Sequence, residues 1–166
     1  CGDGKHESEL WTDISSLDQI TKSGNYYLTD NVDLESTWKC SYDVNLCLAG
    51  NTIRYVGTAG SVLSVANGKT LTITDCQDSG TITHKEGSTG PGVYIYGGGK
   101  FNLYNGKITG NTVDGSGAGV QVSFYTGTAD NPKDSTFNMY GGTISGNTAA
   151  GNTIACGGGV YVASNA

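Results

Sequence analysis

Short runs of alternating apolar and polar residues, parted by glycine-rich corners, recur along this chain. Residues 136–148 read TFNMYGGTISGNT and residues 100–112 read KFNLYNGKITGNT, two copies at an offset of 36. Each is followed, after a polar stretch, by another apolar run, GAGVQV at 117–122 and GGGVYV at 157–162. A degenerate earlier copy, KTLTITDCQDSGTITH at 69–84, is followed by GPGVYIY at 90–96. Four extra residues, Cys76 to Ser79, part its two halves. A weaker copy begins at VNLCLAGNTIRYV, residues 44–56.

Each unit therefore contains three short strands. The first is V-x-V/I, the second F-N-L/M-Y or L-T-I-T, and the third G-x-I-x-G. Period-two alternation turns one side of every strand inward. It assigns Phe101, Leu103 and Ile108 to the interior, with Phe137, Met139 and Ile144 in the next unit and Leu71, Ile73 and Ile82 in the preceding one. One coil alone cannot bury such a stripe. Stacking coils at about 4.8 Å aligns like with like and makes a continuous core. The expected fold is all-β, a right-handed parallel β-helix (solenoid) with an N-terminal cap containing a short helix.

Spacing selects this architecture. A left-handed β-helix repeats hexapeptides, and no such period is present. Offsets of 27 (Val93 to Val120) and 36 (Phe101 to Phe137) suit a coil with variable corner loops. Pairs such as Gly141–Gly142 supply corners with positive φ. A β-propeller needs four strands and a Trp-Asp signature per blade, and a leucine-rich repeat its own leucine and asparagine spacing. Residues 7–20 have helix-like spacing at Trp11, Ile14, Leu17 and Ile20, with Asp13 or Ser15 as candidate caps. Residues 23–34 and 36–48 read as short strands. Residues 1–40 are thus expected to cap the first coil, and residues 41–166 to form coils that continue in a longer parent chain.

Composition narrows the function. Glycine numbers 27 and proline 2, far from the collagen pattern. Charged residues make up 14%, the net charge is −6 and Arg54 is the one arginine, so no nucleic-acid partner is expected. No apolar run approaches the roughly 20 residues that span a bilayer, so no membrane insertion is expected. No signal peptide is visible, which suits a mature or excised fragment. The five cysteines, Cys1, Cys40, Cys47, Cys76 and Cys156, form no CxxC pair. Cys47 and Cys76 lie in strand-like runs, where buried small apolar side chains are expected. A Cys40–Cys47 or Cys47–Cys76 bridge stays open at this stage, and zinc held by Cys1, His6 and a third ligand is the weaker idea.

The order GNYYLTDNVDL, VNLCLAGNTI, GKTLTITDC…GTIT, FNLYNGKITGNT…GAGV and FNMYGGTISGNT…GGGVYV resembles a family, over roughly residues 11–162. It is similar to the β-helical repeat region of large secreted or cell-wall-attached proteins of anaerobic Gram-positive bacteria, common in intestinal species. The resemblance implies an exported, modular, adhesin-like chain at the cell wall; it does not imply a known ligand or catalytic residues. Cys1-Gly2-Asp3 would then be the tail of a Cys/His-rich segment often placed before such regions.

β-Helices also include polysaccharide lyases and hydrolases, which need clustered carboxylates on adjacent coils, often with Ca²⁺ and a basic residue. Residues 135–166 contain no Asp, Glu, Lys, Arg or His, and residues 101–129 only Lys107 and Asp114. No enzyme, cofactor or metal is expected on that ground. Asp75 and Asp78 read as a structural turn, Asp130, Asn131 and Asp134 as a solvated loop, and His84 has no evident nucleophile partner. No G-x-S-x-G elbow is present.

Binding is the better physical fit. If Phe101 and Leu103 face in, Asn102 and Tyr104 face out, and the next coil repeats them as Asn138 and Tyr140. Tyr94, Gln121 and Tyr161 should line another outer face. Tyrosine joins a broad apolar ring to a polar tip, which suits sugars and protein surfaces. The candidate contacts are Tyr94, Tyr104, Gln121, Tyr125, Tyr140 and Tyr161, with the loop at 126–135. The blander alternative is that these ladders only stabilise the stack. Expected partners are a host protein such as a mucosal immunoglobulin or mucin, or a glycan, besides further repeats of the parent chain. Ice binding would want a flat, regular Thr ladder, which the variable corners spoil.

Overall fold

A computed structural model of the chain describes residues 11–123, 134–151 and 155–163. Cys1, His6, Tyr125, Asp130, Asn131 and residues 126–133 of the loop lie outside the described residues.

The chain climbs in coils, each giving one strand to each of three sheets. Strand β1 (Trp11–Ile14) precedes the first full coil, β2 (Gly24–Leu28), β3 (Val32–Leu34) and β4 (Trp38–Cys40). The second coil is β5 (Val44–Cys47), β6 (Thr52–Tyr55) and β7 (Leu63–Val65), and the third β8 (Thr70–Thr74), β9 (Thr81–His84) and β10 (Val93–Ile95). The fourth adds a corner strand: β11 (Lys100–Leu103), β12 (Lys107–Thr109), β13 (Thr112–Asp114) and β14 (Val120–Val122). The fifth repeats it as β15 (Thr136–Met139), β16 (Thr143–Ser145), β17 (Thr148–Ala150) and β18 (Val160–Val162). The first sheet runs β1-β2-β5-β8-β11-β15, the second β3-β6-β9-β12-β16, the third β4-β7-β10-β14-β18, and β13 pairs β17. Neighbours within each sheet pair in parallel. The fold is the all-β parallel β-helix that the repeat predicts. Links between parallel neighbours in one sheet take a right-handed sense almost without exception, which sets the hand expected here.

Register explains the core. Leu71 pairs with Phe101 and Phe101 with Phe137, while Ile73, Leu103 and Met139 form the adjacent row. Ile82, Ile108 and Ile144 form a row in the second sheet. Leu71, Ile73, Ile82, Phe101, Leu103 and Ile108 have no exposed surface, each contributing about 1.5–3 kcal/mol by burial. Phe101 stacks on Phe137 with ring centroids 5.5 Å apart. On the fifth coil Phe137 and Ile144 pack against the core only partly, and Met139 is 48% exposed. Among the described residues no strand covers that coil on its far side.

Two expectations for the N-terminal region need correction. The i, i+3 spacing of Trp11, Ile14, Leu17 and Ile20 does not make a helix through residues 11–20. Trp11–Ile14 is a strand, in register with Asn25–Leu28, and only Leu17–Gln19 turns, as one 3₁₀ turn. The cap is Ser16, whose Oγ accepts from the Asp18 N–H, while Gln19 Oε1 accepts from the N–H groups of Ser15 and Ser16. Strand pairing offers Trp11–Ile14 a full partner, whereas a helix this short would be marginal alone. The coils also begin before residue 41, because β2, β3 and β4 each pair with the coil above. What covers the first coil is the β1 segment, whose Ile14, Leu17 and Ile20 join the core. Among the described residues no helix is long and apolar enough to cross a membrane.

The glycine pair at one corner has divided duties. Gly142 has φ +79, while a Cβ on Gly141 would come 2.3 Å from the Tyr104 carbonyl oxygen one coil below. Close stacking of coils, as much as backbone freedom, excludes a side chain there.

Candidate functional site

Tyr104 and Tyr140 immediately follow β11 and β15. Their backbone N–H groups bond Ile73 O (2.9 Å) and Leu103 O (2.8 Å), each one coil back. That anchoring places the rings over one another, with centroids 4.5 Å apart and planes 21° apart. The separation is close to the rung spacing itself. Both rings are open to solvent, Tyr104 by 51% and Tyr140 by 63%.

Beside them runs an amide row on the outer face of the first sheet. Asn45 Nδ2 donates to Asn25 Oδ1 (2.8 Å), Asn102 Nδ2 to Thr72 Oγ1 (3.2 Å) and Asn138 Nδ2 to Asn102 Oδ1 (2.9 Å). These amides spend part of their hydrogen-bonding capacity on one another, so the row serves the stack whatever else it contacts.

The second group of expected contacts lies on the third sheet. Tyr94 pairs in register with Gln121, and Gln121 with Tyr161, and all three are half-buried. Tyr94 also stacks on Tyr96 at 5.0 Å, a partner the sequence reading missed although the alternate position of the VYIY run carries it. The five described candidates therefore form two patches on different sheets. Tyr125 lies outside the described residues, and Asp134 is exposed.

The polar residues weighed for chemistry are engaged in holding corners. Asp75 is buried, and its carboxylate accepts the N–H groups of Gly50 (2.7 Å) and Gly80 (2.6 Å). Asn105 Nδ2 donates to Asp75 O (2.8 Å) and to the Asp78 carboxylate. These bonds accord with the structural-turn reading of the two aspartates. His84 is buried; its Nδ1 lies 2.6 Å from Asn111 Oδ1 and its Nε2 2.8 Å from Gly60 O. Asn111 Nδ2 in turn donates to Asn147 Oδ1 (2.8 Å), and Asn147 Nδ2 to Ile108 O (2.8 Å). Both imidazole nitrogens are thus occupied inside the stack.

One cleft lies outside all these expectations. Among the described residues the β1 segment supplies a strand to the first sheet alone, so β3 and β4 stand at the ends of their sheets. Between them and the 3₁₀ turn lies a cavity of about 580 Å³, lined among others by Asp18, Glu35, Trp38 and Tyr42. Asp33, also in its wall, is paired to Arg54 by two bonds of 2.9 and 2.7 Å, and the Arg54 guanidinium holds its carboxyl below the usual range. An aromatic pair beside carboxylates is a sequence signal, but the position of β3 and β4 at the sheet ends among the described residues, which opens the cleft, is a property of the whole coil. Among the described residues no three His, Cys, Asp or Glu side chains gather as metal ligands.

No protein-family model matches the chain, and neither a curated protein nor a solved structure matches it.

Proposed function

We propose that this chain is a non-catalytic, adhesin-like β-helical module, exported to the surface of a Gram-positive-type bacterium, where it contacts a host protein or glycan. The observation that carries the reading is the Tyr104–Tyr140 pair, two stacked and solvent-open rings on a backbone fixed by parallel pairing. Rigid aromatic rings lose little conformational freedom on binding and offer broad contact area, so they are economical contact residues. The Tyr94–Gln121–Tyr161 row supplies a second surface of similar chemistry. Export and surface attachment rest on the resemblance of the repeat motifs to wall-associated proteins. The absence of Asp, Glu, Lys, Arg and His from residues 135–166 supports a binding role over polysaccharide cleavage.

The test uses the full chain immobilised and exposed to mucin, to mucosal immunoglobulin and to a panel of sialylated and fucosylated glycans. Binding should fall at least about tenfold in the Tyr104→Ala/Tyr140→Ala variant with its melting temperature held near that of the parent. Equal binding by parent and variant, or turnover of a uronic-acid polymer that one Asp→Asn change abolishes, would overturn the reading.

A further inference from the structure

Cys47 ends β5, and its neighbours Leu46 and Leu48 both belong to the core. Alternation therefore turns Cys47 to the outside of the first sheet, yet it has no exposed surface. Its burial has a different source from the one the sequence suggested. Cys76 belongs to the four-residue insertion that parts the motif of the next coil, and this bend brings the thiol over β5. Cys76 Sγ lies 3.5 Å from Cys47 Sγ.

The bend is held on both sides of that contact. The Leu48 N–H bonds Thr74 O (2.9 Å), just before Cys76, and the Asp75 carboxylate ties Gly50 of one coil to Gly80 of the next. From the coil above, Asn105 bonds Asp75 O. The two sulfurs are thus presented to each other by hydrogen bonds that do not involve them. Reaching the bonded separation of about 2.05 Å requires closure by about 1.5 Å, within reach of side-chain rotation and a small shift of the bend.

We propose that Cys47 and Cys76 form a disulfide that joins two successive coils when the folded chain meets a small-molecule disulfide such as oxidised glutathione. The Cys76 thiolate attacks one sulfur of the oxidant and displaces one glutathione thiolate, leaving a mixed disulfide at Cys76. The Cys47 thiolate then attacks Cys76 Sγ and expels the second. Two protein thiols are oxidised to one disulfide, one glutathione disulfide is reduced to two thiols, and the protons of Cys47 and Cys76 pass to the departing thiolates. Burial, with Cys47 and Asp75 adding to it, pushes the Cys76 thiol up to about 11. The first step is therefore slow at neutral pH and accelerates as pH rises. Cys40, by contrast, bonds Tyr42 O at 3.0 Å, and Cys156 is exposed. Such a bridge requires no surface partner, and it suits an oxidising compartment.

The full chain, with Cys1 and Cys156 replaced by Ser to remove competing thiols, would be held in a glutathione redox buffer at pH 8. Remaining thiols would be alkylated after unfolding, and the digest mapped by mass spectrometry. A cross-linked Cys47–Cys76 peptide is expected, together with alkylated Cys40. Because the two residues are 29 apart in sequence, oxidation should raise the melting temperature by on the order of 5–10 °C, reversibly with dithiothreitol. Cys76→Ser should lose that rise while melting near the reduced parent. Should Cys76→Ser fail to fold, the melt of the parent with and without dithiothreitol still decides. Recovery of both Cys47 and Cys76 as alkylated thiols, a lasting glutathione adduct on Cys76, or a Cys40 bridge would each overturn the proposal.

Discussion

Replacing Asn111 by Ala tests the interior of the stack most directly. The residue is fully buried at the corner after β12, and its side chain joins three coils. Oδ1 meets His84 Nδ1 at 2.6 Å, and Nδ2 donates to Asn147 Oδ1 (2.8 Å), Thr109 O (3.2 Å) and, at the long limit, Ile82 O (3.4 Å). Truncation leaves His84 Nδ1 without its side-chain partner inside the protein. Asn147 Oδ1 keeps the backbone N–H of residue 111 at 3.1 Å, so it is only partly stranded. One fully orphaned group and one weakened group, at about 1–3 kcal/mol per unsatisfied buried group, give an expected loss of about 2–4 kcal/mol. At about 2–4 °C per kcal/mol for a chain of this size, the melting temperature should fall by about 4–16 °C. Far-UV circular dichroism during thermal and urea unfolding measures it. Asn138→Ala, which removes one bond from the outer amide row, is the control and should cost less than about 1 kcal/mol. His84→Ala combined with Asn111→Ala should cost less than the two singles together, because the same bond is lost only once. An Asn111→Ala melt within 1 °C of the parent would refute the view that the interior amide network holds the corners.

Phe101→Ala removes a fully buried ring stacked between coils and should cost about 3–5 kcal/mol in urea unfolding. Gly90→Ala places a Cβ 2.0 Å from the Gly60 carbonyl oxygen at φ +146, so the coils must part there. A loss of about 2–4 kcal/mol is expected, and a neutral substitution would mean the corner is looser than this geometry. For Asp33 the bond to Arg54 lowers the folded-state pKa below its ordinary value. Its stabilising contribution is therefore present at neutral pH and disappears as pH falls through that lowered value, weakly, since the pair is half-exposed. A carboxyl-carbon NMR titration should show the Asp33 midpoint rising toward the ordinary range in Arg54→Gln, and an unchanged midpoint would contradict the assignment.

Much of the core was legible because β-strand alternation is local. Six interior positions, Leu71, Ile73, Ile82, Phe101, Leu103 and Ile108, follow from nothing more than period two and the stacking of like on like. The first full coil was harder to read. In GNYYL the outward Tyr27 sits beside the inward Tyr26 and Leu28, so hydrophobicity alone does not alternate there. Trp11–Ile14 carried spacing compatible with either element, and only its partner strand, contributed by residues 25–28, decides between them. The polar interior was illegible for a related reason. His84 finds Asn111 27 residues away and Gly60 24 residues away, and no local pattern marks either.

Stacking in register also limits what a repeated surface residue means. In-register stacking multiplies whatever side chain recurs at one position, so a Tyr row or an Asn row arises wherever the motif is copied. The Asn102–Asn138 bond and the Tyr104–Tyr140 stack are in this sense consequences of the 36-residue step between the coils. They differ in what they leave over. Each amide in the outer row spends part of its hydrogen-bonding capacity on its neighbours, whereas each tyrosine ring has two faces and its partner covers only one. Tyr104 and Tyr140 thus stay 51% and 63% exposed even though they are stacked on each other. An isolated exposed aromatic is unremarkable on any protein; a rigid pair spaced at one rung presents a fixed contact geometry. That difference is why the tyrosines, and not the asparagines, are the side chains whose removal should separate binding from stability.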